Sequence, residues 1–204
     1  MRQITEYLST KVAKTKIKAT NETIKQIVRD ELDHLGHDAD LNHIDVSKVT
    51  NMDSLFACYY YDNSGLKYKD LNIDISGWDV SNVTNMRNMF YECNKFNGDI
   101  SQWIVSKVED MSAMFKECKK FNQDLSQWDV SNVEDMGAMF SGCKNFNQDI
   151  SGWNVINVIN MDGMFNRCKN FNQDLSGWDV RKVTHVEDFI DCPIKEEFKP
   201  KFKI

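Results

Sequence analysis

A chain of 204 residues, 41% of them hydrophobic, is long enough to bury one continuous core, and two prolines with nine glycines exclude collagen-like or low-complexity character. The charge lies on the body: residues 1–40 carry seven basic and seven acidic side chains, whereas residues 41–190 carry 14 and 21, a net of −7. That balance disfavours direct binding to a nucleic-acid backbone and favours a basic protein as partner, and no run of about 18 apolar residues is present to span a membrane.

The first eight residues, Met1 to Leu8, hold neither the apolar core of a signal peptide nor a lipobox cysteine. A cytoplasmic location is expected, with the cell surface as the alternative if an export signal has been removed. A short helix is expected from Ile4 to Val12, then an extended piece in which Lys11, Lys14, Lys16 and Lys18 face solvent. Thr20 reads as an N-cap, Ile24, Ile27, Val28, Leu32 and Leu35 as an apolar helix face, and Gly36 as a stop. This predicts a helix of about 15 residues lying across whatever follows it, so residues 1–40 form an N-terminal segment and cap. His34, His37 and His43, with Asp33, Asp38 and Asp40 nearby, are a weak zinc candidate.

From residue 41 the chain repeats. Trp78, Trp103, Trp128, Trp153 and Trp178 are each 25 residues from the next. The same step carries Val83 to Val183, Met86 to Met161, Met89 to Met164, Phe90 to Phe165, Cys93 to Cys168 and Phe96 to Phe171. A degenerate earlier copy matches the pattern with Ile44 in the tryptophan slot, then Asp45, Val46, Val49, Met52, Leu55, Phe56 and Cys58. Val46 and Val80 are 34 residues apart, so this copy holds nine extra residues, expected within Cys58–Asp70 around Tyr59-Tyr60-Tyr61. About six copies therefore fill residues 41–190, and residues 191–204 form a tail that either pairs as an edge strand or caps the last copy.

Within one copy, Ser76 to Val80 alternates as a half-buried strand does, while Val83, Met86, Met89 and Phe90 suggest about two helical turns. Asn97-Gly98-Asp99 then turns the chain back. The fold class this predicts is an α/β solenoid with a leucine-rich-repeat-like parallel β ladder and short helices outside. In it the tryptophans stack in the core, the cysteines form a buried stripe of free thiols, and Asn97, Asn122, Asn147 and Asn172 satisfy backbone groups as a ladder. Asp99, Asp124, Asp149 and Asp174 either accept backbone N–H groups or hold calcium.

No phosphate loop, nucleophile elbow or Cys-x-x-Cys is present, so neither an enzyme, a cofactor nor a small-molecule substrate is expected. The favoured reading is a protein-binding scaffold; the alternative is a calcium- or zinc-binding structural or enzymatic module. Binding is expected at the positions that vary between copies: Gln102 and Gln127, where other copies have glycine, beside Asp79, Ile104, Asp129, Asn154 and Asp179. Tyr59, Tyr60 and Tyr61 are the loop candidates, because tyrosine suits interfaces.

The run from Trp78 to Phe90 (Trp-Asp-Val-Ser-Asn-Val-Thr-Asn-Met-x-x-Met-Phe), followed by Phe-Asn-x-Asp-Ile-Ser, resembles the repeat of BspA-like bacterial surface proteins, also called the Mycoplasma or Listeria lipoprotein repeat. The resemblance covers roughly residues 41–190 and implies a leucine-rich-repeat-like fold and protein binding, often in adhesion. The stretch Asp40 to Ser47 resembles the entry into such repeats in bacteria of the Bacteroidetes type and their phages. Without a signal peptide, an intracellular or phage-encoded inhibitor of a host protein, one that itself binds nucleic acid among the options, stands beside the adhesin reading.

Overall fold

In a computed structural model, residues 16–58 and 69–203 are described. The expected Ile4–Val12 helix, most of the insertion and Tyr59, Tyr60 and Tyr61 lie outside them. Regular elements are few: strand β1 (Ile17–Lys18), helix α1 (Ile24–Leu35), strands β2 (Ile44–Asp45), β3 (Phe165–Asn166) and β4 (Ile190–Asp191), and a 3-10 turn at Glu196–Phe198.

Helix α1 forms because Ile24, Val28 and Leu32 recur every fourth residue and bury one face, while Leu35 is exposed. It begins at Ile24, not beside Thr20: the Thr20 hydroxyl donates to Glu22 and its amide to the Thr23 hydroxyl, which closes a turn ahead of the helix. Gly36 ends the helix at φ 88°, its N–H donating to the Leu32 carbonyl, a conformation glycine adopts without strain. Strand β1 pairs in parallel with β2, Ile17 opposite Ile44, at the slot that Trp78 and Asp79 fill in the next copy, so the N-terminal piece gives the first copy a parallel partner there.

Those copies are joined by parallel bridges running Asn51, Asn85, Asp110, Asp135, Asn160, His185, one residue per copy. The pairing continues beyond the bridge. The amides of Met86, Asn88, Phe90 and Glu92 donate to the carbonyls of Asp110, Ser112, Met114 and Lys116, and the next copy repeats the arrangement. The ladder therefore lies over residues 84–92 of the unit and not over Ser76–Val80, whose expected strand is replaced by turns: Trp78 and Val83 amides bond back to Ile75 and Val80.

The helical stripe expected at Val83, Met86, Met89 and Phe90 is likewise a run of tight turns. Amides of Met89, Tyr91, Cys93 and Phe96 bond three residues back, to Met86, Asn88, Phe90 and Cys93. Left-handed residues explain why no helix propagates: Asn88 and Glu92 have φ of 52° and 61°, and Ala113, Glu117 and Ala138 repeat the pattern. Each costs about 1–2 kcal/mol for a residue with a Cβ. The offset is that every second amide then points along the stack into the next copy, where its carbonyl partner waits.

Between the rungs lie two columns of phenylalanines. Phe56, Phe90, Phe115, Phe140 and Phe165 stack with centroids 5.4–5.8 Å apart, and Phe96, Phe121, Phe146 and Phe171 with centroids 5.8–6.1 Å apart. The tail covers the last copy: the Phe198 carbonyl accepts the Leu175 amide, Phe202 meets Phe189 edge-on at 5.0 Å, and Ile194 is buried.

Candidate functional site

The apolar residues that repeat from copy to copy are committed to the interior. Each indole is buried and donates its Nε1–H one copy back: Trp78 to the Leu41 carbonyl, Trp103 to Ile75, Trp128 to Ile100, Trp153 to Leu125 and Trp178 to Ile150. Thiols do the same, Cys118, Cys143 and Cys168 donating to the carbonyls of Phe90, Phe115 and Phe140 at 2.9 Å. Burial pushes the thiols of Cys93, Cys118 and Cys143 well above the ordinary value, so they are poor nucleophiles and poor ligands. Cys58 falls one residue off the stripe, its amide reaching Tyr91 in the register of Glu92. The asparagine ladder is present: Asn97 Oδ1 accepts the Asn122 amide, Asn122 that of Asn147, and Asn147 that of Asn172.

Asp99, Asp124, Asp149 and Asp174 each accept the backbone amide two residues on, at Ser101, Ser126, Ser151 and Ser176. These are Asx turns, and they answer how a column of like charges is tolerated. Asp74, Asp79 and Asp129 make the same turn with Ser76, Ser81 and Ser131. The serine hydrogen bonds hold Asp79, Asp124, Asp129, Asp149 and Asp174 below the usual carboxylate value. A carboxylate whose folded pKa is depressed contributes stability that is present above the unfolded value, near 3.8, and is lost as the pH falls through the folded value. The melting temperature is therefore expected to fall as the pH drops below about 4, with a shallower acid limb in Asp129→Asn, which keeps the turn without the charge. An acid limb identical in variant and parent, followed by circular dichroism, would refute this.

Among the described residues no three His, Cys, Asp or Glu side chains converge as a metal site. His43 Nε2 lies 2.8 Å from Glu31 Oε2, while His34 is exposed and His37 half-exposed.

The variable positions form an outer strip. Asp79, Gln102, Ile104, Gln127, Asp129 and Asn154 are exposed and Asp179 is half-buried. They differ in how far each is already occupied. Arg181 binds both Asp179 oxygens, through Nη2 at 2.6 Å and Nε at 2.8 Å, which neutralises that end of the strip. Asn154 accepts the Ile156 amide. Asp79 and Asp129 have no ion pair among the described residues, so the acidic character is centred on them. Ile104 stands between them in the stack and, at 62% exposed, is the most open large hydrophobic side chain of the described residues.

Two grooves flank this strip. One of about 190 Å³ runs along Ser101, Gln102, Ile104, Ser106, Gln127 and Asp129. The other, about 470 Å³, is lined by Thr84, Lys107, Glu109, Asn132, Glu134 and Asn157. Ser106 and the Lys107–Glu134 valley are not among the binding positions the sequence points to. Ser106 had a signal, since it keeps the serine of the Asx turn in the one copy whose aspartate slot holds isoleucine; the valley takes its walls from consecutive copies, so only the stacking brings Lys107, Glu109, Asn132 and Glu134 together.

A profile of the family described as Mycoplasma protein of unknown function, DUF285, matches residues 23–138 and again residues 98–197. The two matches overlap and together span the helix, the stacked copies and half of the tail. Among curated proteins and among solved structures, no match was found.

Proposed function

Because the chain belongs to that family, whose description gives no function, its role has to be argued from its surface, and we propose that it is a non-enzymatic, protein-binding scaffold. In this reading the stacked copies make a leucine-rich-repeat-like solenoid of the BspA-like kind, with return limbs built from turns. The observation that carries the binding reading is the division of labour within the unit: the repeated apolar side chains are buried, and the positions of Asp79, Gln102, Ile104, Gln127, Asp129 and Asn154, where the residue type changes between copies, are exposed. Scaffolds of stacked units present such continuous surfaces. The partner expected on the Asp79 and Asp129 carboxylates is a basic protein, and among the described residues no helix is long and apolar enough to cross a membrane. Both the adhesin role and the intracellular, phage-encoded inhibitor role fit this surface, and the identity of the partner separates them.

The test is affinity capture from a bacterial lysate at low and high salt, with the full chain and with Asp79→Asn/Asp129→Asn, which preserves both Asx turns while removing the charge. A basic protein retained at low salt and lost in the double variant is the expected result. Capture indifferent to both salt and substitution would overturn the acidic strip as the binding surface.

A further inference from the structure

Every described copy places a side-chain oxygen two residues before the same backbone amide, except one. The amides of Ser47, Ser81, Ser131, Ile156 and Arg181 are held by Asp45, Asp79, Asp129, Asn154 and Asp179. In two of these copies the serine hydroxyl also donates to the carboxylate, at 2.6 Å. Ser106 retains both donors, but its acceptor slot is Ile104, whose side chain makes no hydrogen bond and is 62% exposed. The third copy thus gives up a local hydrogen bond and exposes an aliphatic side chain at once. Either change alone works against folding or solubility.

The neighbours differ in the same place. Gln102 and Gln127 occupy the slot that is Gly77, Gly152 and Gly177 elsewhere. Each glutamine Nε2 has a long contact of 3.3 Å to its adjacent serine hydroxyl, and neither amide carbonyl accepts a hydrogen bond among the described residues. With Ile104, Ser106 and Asp129 they line the groove of about 190 Å³. Asp79 and Asp129 stand one copy to either side of Ile104, both exposed and without an ion pair among the described residues.

We propose that this groove binds an extended protein segment carrying an aliphatic side chain with a basic residue on each side. The aliphatic group covers Ile104. A backbone carbonyl of the segment accepts from the Ser106 amide and hydroxyl, in the place of the missing aspartate. The Gln102 and Gln127 amides, each both donor and acceptor, pair with the segment's remaining backbone groups, and the flanking cations meet Asp79 and Asp129. The binding role itself rests on the proposed function; the groove, the segment and its side-chain order are new here.

The test is a nuclear magnetic resonance titration of the full chain with the blocked peptide Lys-Thr-Ile-Thr-Lys, using Glu-Thr-Ile-Thr-Glu and Lys-Thr-Ser-Thr-Lys as controls. The decisive variant is Ile104→Asp, which restores the residue that the repeat itself uses and so keeps the fold. Expected are peptide-dependent shifts of the Ser106 amide and of the Gln102 and Gln127 side-chain amides, weakened about tenfold or more in Ile104→Asp and with either control. Unmoved resonances, or equal binding by Ile104→Asp, would overturn the proposal. If Ile104→Asp still captures the lysate partner, the groove assignment fails and the scaffold reading stands; if no partner is captured by either protein, it is the scaffold reading that fails.

Discussion

Trp128→Ala is expected to destabilise the protein by about 3–5 kcal/mol, measured by chemical denaturation. The indole is 3% exposed, lies 6.3 Å from the Phe115 ring and donates to the Ile100 carbonyl at 3.1 Å. Removing it opens a cavity between two copies that cannot close around it, because the hydrogen-bonded ladder fixes their spacing. It also leaves the Ile100 carbonyl without its donor. Trp128→Phe narrows the cavity, since it keeps a six-membered ring while losing the N–H and the rest of the indole, an expected cost of about 1–3 kcal/mol. Against a total stability of roughly 5–15 kcal/mol for a domain, the alanine variant gives up a large share. A change below about 1 kcal/mol would mean that the tryptophan column faces solvent, and the binding surface would then have to be sought on it.

Much of this was legible in the sequence because a period of 25 residues reports on burial before any geometry is known. A position that repeats in type, such as the column of Trp78 to Trp178, is being selected by an equivalent neighbour in the next copy, and all five are buried. The asparagine ladder was readable for the same reason: Asn97 to Asn172 can repeat at one turn only if their amides serve the same purpose in each copy.

Local conformation was not legible to the same degree. Val83, Met86, Met89 and Phe90 fit a helical stripe, but they fit a series of three-residue turns equally well, and only the left-handed Asn88 and Glu92 decide between them. Asparagine at that position was a hint; Ala113 and Ala138, which take the same φ of 52°, concealed it. The position of the ladder was misplaced because the alternation of Ser76 to Val80 marks burial at a corner, where turns return the amides to Ile75 and Val80. At the candidate site, the strip followed from the variable slots, whereas the neutralisation of Asp179 by Arg181 depends on a side-chain geometry that spacing alone does not determine. For the aspartate column the sequence leaves backbone acceptance and calcium both open, and the serine amides two residues on supply the first.

The measurement that tests this account most directly is excision of one whole unit, Ser126 to Ile150, compared with excision of half of it, Ser126 to Gly137. If copies contact only their neighbours, removing 25 residues joins Leu125 to Ser151 in the same register that Leu125 and Ser126 had, and every rung finds its partner. Phe115 would stack on Phe165 as it does on Phe140. The shortened chain is predicted to fold cooperatively, with the same circular dichroism per residue and a denaturant slope lower by roughly one-eighth. The half-unit excision displaces every buried position that follows by 12 residues, sets polar side chains against the phenylalanine columns, and is predicted to leave no cooperative transition. Two excisions that behave alike, both folded or both unfolded, would contradict a stack held together by one repeated interface.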